Sequence, residues 1–148
     1  MGRNRKGYFI RVHAKSLKKA KQKLKELTSR SQGRNVRVVM HNLKVYMTGW
    51  LTYFGIASMK TTIIEWNGWL RRRIRMYIWK QWKKLRTRVQ NLINLGMEPW
   101  KAYRNGNTRK GYWAVAGSGI LTHTITNERL AQAGYFDILA KYESLHSV

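Results

Sequence analysis

The stretch WLRRRIRMYIWKQWKK, residues 69–84, sets Trp69, Trp79 and Trp82 among arginines and lysines. Guanidinium and ammonium groups neutralise phosphates, and an exposed ring among them can stack on an unpaired base. The competing account is that the following segment, residues 85–148, covers Trp79 and Trp82, because a chain rarely leaves indoles in water. Helix packing, by contrast, cannot bury so many uncompensated charges. On a helical wheel Ile63, Trp66, Leu70, Ile74, Tyr77 and Ile78 share an arc of about 120°, with Arg71, Arg72, Arg75 and Lys83 beyond it. Trp79 lies opposite that apolar stripe, Trp82 beside Arg75 and Trp69 on the other shoulder. The tryptophans of this helix are therefore expected on its basic face.

The whole chain shares the bias. Its 148 residues hold 30 Lys and Arg against 6 Asp and Glu, a net charge of +24. Self-repulsion of that size disfavours a compact state unless a polyanion offsets it, and a merely solvated surface mixes both signs. Nucleic acid is the partner this footprint fits. Residues 1–88 carry 24 of the cations against Glu26 and Glu65 alone, whereas residues 89–148 are nearly balanced. The electrostatic grip is placed in the first part.

Other chemistry is excluded. Asp137 is the single aspartate, and Glu26, Glu65, Glu98, Glu128 and Glu143 are scattered. No pair of them suits acid–base work or a two-metal site. His13, His41, His123 and His146 are isolated, and the glycines fit no phosphate loop. The chain is read as non-catalytic, with no metal and no cofactor. It has no cysteine, which fits a reducing compartment, and a cytoplasmic location is expected. The apolar runs fall short of the ~18 residues of a membrane span, and MGRNRKGYF lacks the apolar core of a secretory signal.

Helices must position these side chains. Residues 7–13, GYFIRVH, read as a short strand, which cannot be stable alone. Ser16 is the expected N-cap of a helix over 17–30, with Leu17, Ala20, Leu24 and Leu27 inward. Lys18, Lys19, Lys23, Lys25 and Arg30 fall outside that stripe, and Lys21 flanks it. A second helix over 35–56 repeats Val39, Leu43, Tyr46, Met47, Trp50 and Phe54 at helical spacing and is expected to be the most buried. The third runs over 61–84. Further helices are expected over 86–95, over 99–105 behind Pro99, from Asn127 to Ala133 with Gly134 as stop, and over 136–146. Residues 105–111 read as a basic turn, and 112–126 as irregular or extended. The expected fold is mainly α. A three-helix domain over 15–86 follows a strand stump and linker at 1–14, and a small helical C-terminal appendix covers 87–148. Its core is Leu24, Leu43, Trp50, Phe54, Trp66, Leu70 and Ile74.

Four stretches, in order along nearly the whole chain, resemble the C-terminal region of group II intron-encoded reverse transcriptase/maturases. IRVHAKSLKKAKQKLKELTSR (10–30) is similar to the passage from the last palm strands into the first thumb helix, with Ala14 where that family often has Pro. GWLTYFGIASMK (49–60) is similar to its G-W-x-N-Y-F signature, with Thr52 in the Asn place. WNGWLRRRIRMYIWKQWKK (66–84) looks like the third thumb helix, and GNTRKGYW (106–113) with ITNERLAQAGY (125–135) completes the set. The resemblance implies a thumb, or maturase-specific X domain, that grips group II intron RNA and a primer–template duplex beside a separate fingers-palm polymerase portion. The Tyr-Ala-Asp-Asp metal site of that palm does not occur here, so this chain alone is not expected to copy RNA. The orphan strand would pair with the missing palm, and the chain looks like a piece of a longer protein or of a split or degraded frame.

The expected phosphate contacts are Lys18, Lys19, Lys23, Lys25, Arg71, Arg72, Arg75, Lys83, Arg86, Arg88, Arg109 and Lys110. The expected stacking residues are Trp79, Tyr112 and Trp113. The implied task is to assist intron splicing and retrohoming. One rival is a general basic nucleic-acid-binding or ribosome-associated protein. Another is a membrane-surface protein, since a basic helix with Trp suits anionic lipid; that role does not need two more helices with matched apolar stripes.

Overall fold

Side chains able to accept from free backbone N–H groups set several of the helix starts, those at Lys60, Leu85, Pro99 and Tyr112 excepted. The computed structural model describes residues 11–146. The first helix, α1 (Ala14–Leu27), is opened by His13, whose Nδ1 accepts from the Lys15 N–H at 3.1 Å. Ser16, the expected cap, lies inside α1, because Ala14 and Lys15 are good helix formers and the ring nitrogen caps them earlier. Asn35 opens α2 (Val36–Phe54) by accepting from the Arg37 N–H at 2.8 Å. The longest helix is α3 (Lys60–Gln81). Next come α4 (Leu85–Asn94) and α5 (Pro99–Gly106), the latter with Pro99 in its first turn. Two short helices, α6 (Tyr112–Ala116) and α7 (Gly119–Thr122), follow. Thr126, one residue before the expected Asn127, caps α8 (Asn127–Ala133), and Gly134 ends it at a left-handed φ of 117°. The last is α9 (Ile138–His146).

Residues 112–126 depart from expectation, since they hold α6 and α7 in place of extended chain. Neither helix has the length to persist alone. Packing of α6 on α3 and of α7 on α6, with Val115, Ala116 and Leu121 fully buried, holds them in place. The described residues are thus mainly helical and contain no strand. Of the expected strand over 7–13, residues 7–10 lie outside the described residues, and 11–13 lead into α1 without regular structure.

The central helix is α3 and not α2. It packs against α2, α6 and α9 and buries nine residues, where α2 buries six. The apolar stripe of α3 accounts for Ile63, Trp66, Leu70, Ile74 and Tyr77, while Arg75, Met76 and Trp79 are buried outside it. Residues 112–142 contribute Val115, Leu121, Leu130, Ile138 and Tyr142 to the same core cluster as Leu24, Leu43, Trp50, Trp66, Leu70 and Ile74. Phe54, expected in that core, is half-buried at the end of α2, its ring 4.8 Å from Trp50. The chain crosses α9 there. A Cβ at Gly55 would strike the Leu51 carbonyl and the Leu145 side chain.

The α2–α3 connection is tied to α9 by one hydroxyl. Tyr142 donates to the Ala57 carbonyl at 2.7 Å and accepts from the Met59 N–H at 3.0 Å, all buried. Tyr142→Phe keeps the ring and strands both partners. Its unfolding free energy in urea is expected to fall by about 1–3 kcal/mol, the cost of leaving buried polar groups unpaired.

Candidate nucleic-acid interface

With six carboxylates for thirty cationic side chains, most cations must find other partners. The arginines of α3 use backbone carbonyls. Arg72 donates from Nε and Nη2 to the Trp113 carbonyl at 3.1 and 2.6 Å. Arg73 donates to the Lys25 carbonyl and the Thr28 hydroxyl, both at 2.9 Å. Arg75 donates to the Ile125 carbonyl at 2.7 Å and to the Asn127 side-chain oxygen at 2.8 Å. Beyond α3, Arg88 reaches the Trp79 carbonyl at 3.2 Å, and Arg129 reaches those of Leu95 and Thr124 at 2.8 and 2.6 Å. Most of these carbonyls lie in or just past the last turn of a helix, where the dipole is negative and intrahelical donors run out.

A carboxylate serves one of them. Asp137 accepts from Arg71 Nη2 at 3.4 Å and from Asn67 Nδ2 at 3.0 Å, and it takes the Leu139 and Ala140 N–H groups at the start of α9. Tyr135 completes this set by donating to Asn67 Oδ1 at 2.6 Å, and of its members Tyr135 and Asn67 are buried. Burial, reinforced by Asp137, pushes the Tyr135 hydroxyl well above the usual tyrosine value. Burial, and then Arg71, pushes Arg75 below the usual arginine value; burial, and then Arg30, does the same to Arg73. Both remain cations, because a guanidinium starts from so high a value.

Aromatic rings take the other faces of these groups. The Arg72 guanidinium lies 3.9 Å from the Trp113 ring centre, Arg88 4.3 Å from Trp79, and Arg30 4.7 Å from Tyr112. Lys21 and Arg73 approach Trp69 at 5.0 and 5.6 Å. Within residues 69–84 Arg73 over Trp69 is such a pair, while Arg72, Trp79 and Trp69 also meet Trp113, Arg88 and Lys21 from elsewhere in the chain.

Two expected contact residues are internal. Trp79 is 1% exposed: Arg88 covers its ring, and Trp82 packs 6.1 Å away. It offers no face to a base. Arg75 is 6% exposed and has its hydrogen bonds spent on Ile125 and Asn127. The segment after α3 folds back over the side of the helix that the wheel leaves polar, which a single-helix wheel cannot show. Arg71, Arg72 and Arg88 are partly exposed and held by Asp137, Trp113 and Trp79 respectively. Exposed positions are Lys18, Lys19, Lys23 and Lys25 on α1, Lys83 and Arg86 at the α3–α4 junction, and Arg109 and Lys110 in the loop before α6. Tyr112 is half-buried, and Trp113 is 37% exposed.

These residues do not form one cluster. Lys18 and Lys25 line a hollow of about 440 Å³ with Lys21, Trp69, Arg73 and Trp113. A second hollow of about 350 Å³ shares Arg73 and Trp113 and adds Ser29, Arg30 and Ser31. Lys19 and Lys23 occupy the other flank of α1. Trp69, Arg73, Lys21 and Arg30 are absent from the expected set of RNA-binding residues. The signal for the first two was their i, i+4 spacing; Arg30 sits past the end of α1 and is joined to α3 by folding alone. A larger hollow of about 760 Å³, between the start of α3 and the end of α9, mixes Glu143 with Lys60 and is a poorer anion seat. Among the described residues no acidic or histidine cluster could hold a metal, and no helix is long and apolar enough to cross a membrane.

Residues 17–96 match the family model of the group II intron, maturase-specific domain, so the match runs from within the first turn of α1 to just past α4. No curated protein matches the chain.

Arg75→Met strands the Ile125 carbonyl and the Asn127 side chain. Its unfolding free energy in urea is expected to fall by about 1–3 kcal/mol. Tyr135 sets a pH dependence. A tyrosine in the unfolded chain loses its proton near pH 10, before the folded one does, so stability falls as pH rises past about 10. Tyr135→Phe lacks this loss. The advantage of the wild type over the variant in urea should therefore shrink between about pH 9 and 11; a constant gap would contradict the burial argument.

Proposed function

The chain belongs to the group II intron maturase-specific domain family, and on that premise we propose that it docks on structured group II intron RNA and steadies the RNA's active fold during splicing. The observation that carries this reading is the charge itself: cations are held on carbonyls and rings, where they keep their positive charge for an outside polyanion. Lys18, Lys19, Lys23 and Lys25 on α1, with Lys83, Arg86, Arg109 and Lys110, neutralise phosphates and release counterions. Structured RNA is read through its backbone, its 2′-hydroxyls and splayed bases, which suits a surface of cations with a few open rings. In this reading α1, α2 and α3 are the thumb bundle, and the splicing chemistry stays with the RNA. On the same reading the chain contributes no catalytic group, in keeping with a match to the maturase-specific domain and with a sequence that has a single aspartate. A primer–template duplex and a fingers-palm polymerase portion are the further partners, engaged when the intron moves to a new site.

Affinity for a group II intron RNA, measured against salt, tests the proposal. The logarithm of affinity is expected to fall linearly with the logarithm of salt concentration. Lys18→Gln with Lys25→Gln should flatten the slope by about one unit for each phosphate that is no longer neutralised. A slope near zero would remove the phosphate-contact model. Competition with an unrelated RNA duplex of equal length addresses specificity. Equal affinity for the two would favour a general basic nucleic-acid-binding protein.

A further inference from the structure

We propose that the two adjoining hollows at Trp113 seat one unpaired nucleotide of the bound RNA, its base against the Trp69 and Trp113 rings and its phosphate against Arg30 and Arg73. This rests on the RNA-binding reading and deepens it. Three features build the seat.

The first is a fixed ring. Trp113 is 37% exposed, yet its position is set by Arg72, which stacks on the ring at 3.9 Å and donates twice to the Trp113 carbonyl. Arg72 lines neither hollow, so it backs the indole without filling the space. Gly117 makes room for this, since a Cβ there would strike the Arg72 guanidinium. A ring ordered before binding loses little freedom when a base stacks on it.

The second is a matched pair of spaces. The larger, about 440 Å³, is in the size range of small-ligand sites. It is bounded by Trp69 and Trp113 and edged by Lys18, Lys21 and Lys25. Lys21 rests over Trp69 at 5.0 Å on a flexible four-carbon stem, so a base can take its place while the ammonium turns to a phosphate. The smaller space carries phosphate chemistry: Arg30 and Arg73 as charge-assisted donors, Ser29 and Ser31 as hydroxyl donors.

The third is charge left open. No carboxylate lines either hollow. Arg73 is anchored on α1 through Lys25 and Thr28, and its charge is already opposed by burial and by Arg30. A phosphate between the two guanidiniums offsets that opposition. Aromatic area beside cations selects a nucleotide over a bare anion or an apolar peptide. Exposed ring faces select an unpaired base, because a duplex hides its own.

Binding by fluorescence anisotropy, with an oligouridylate of about 8 nucleotides and with an equally long, equally charged oligonucleotide of abasic residues, tests this. The wild-type chain is expected to bind oligouridylate about tenfold more tightly, the range for one stacked base. Trp113→Ala should bring the two affinities together, and Trp113→Phe should restore most of the difference, with circular dichroism confirming that both variants fold. Equal affinity of the wild type for the two oligonucleotides overturns the base seat and leaves the phosphate contacts standing. So does a Trp113→Ala variant that weakens both alike. Failure of the wild type to bind either one at low salt overturns the RNA-binding reading and the seat with it.

Discussion

The fold depends on how a guanidinium is held when there is no carboxylate to hold it. Six acidic side chains face thirty basic ones. A buried or half-buried arginine left without partners would cost more than the packing around it returns. The partners used are carbonyl oxygens near helix ends and the faces of aromatic rings. Arg72 illustrates both at once, with its N–H groups on the Trp113 carbonyl and its plane on the Trp113 ring. Each such contact satisfies hydrogen bonds while leaving the charge unneutralised. The same groups thus tie the fold together and keep its net positive charge.

This solution also joins the parts of the chain. Arg73 ties α3 to the last turn of α1, Arg72 and Arg75 tie it to the segment from α6 to α8, and Arg88 ties α4 back to α3. Apolar contacts supply the bulk of the cohesion through one cluster that runs from Ala20 to Tyr142. The polar ties decide which way the short helices lie on it. Asp137 plays the complementary part, meeting Arg71, Asn67 and the start of α9 together. The lysines of α1 are different: they stay exposed on flexible stems. Fixed arginines and rings inside, with mobile lysines around them, make a surface that is partly preorganised and partly adaptable.

Much of this is legible in the residues alone. The apolar repeats of α1, α2 and α3 place those helices to within a few residues, because the period of an amphipathic helix is a local property. Pro99, Gly134 and the charge imbalance are local signals too. The motif stretches point to the maturase family without any knowledge of the fold, and residues 17–96 match its model. What failed was the reading of α3 as a helix with one buried side. Its wheel is right about Leu70 and Ile74 and silent about what covers Trp79 and Arg75. The short helices α6 and α7 escaped for a related reason, since helices of four or five residues owe their existence to the surface beneath them.

Composition and periodicity therefore determined the helical class, the three long helices and the strongly positive net charge, all of which follow from composition and from neighbours in sequence. Only the tertiary structure decided which cations and indoles remain available. Arg75 and Trp79 went inside, whereas Arg30, Arg73, Trp69 and Trp113 came together around shared hollows. Exposure depends on what packs across a residue from far along the chain. For Arg73 that partner is Thr28, 45 positions away, and for Arg72 it is Trp113, 41 positions away.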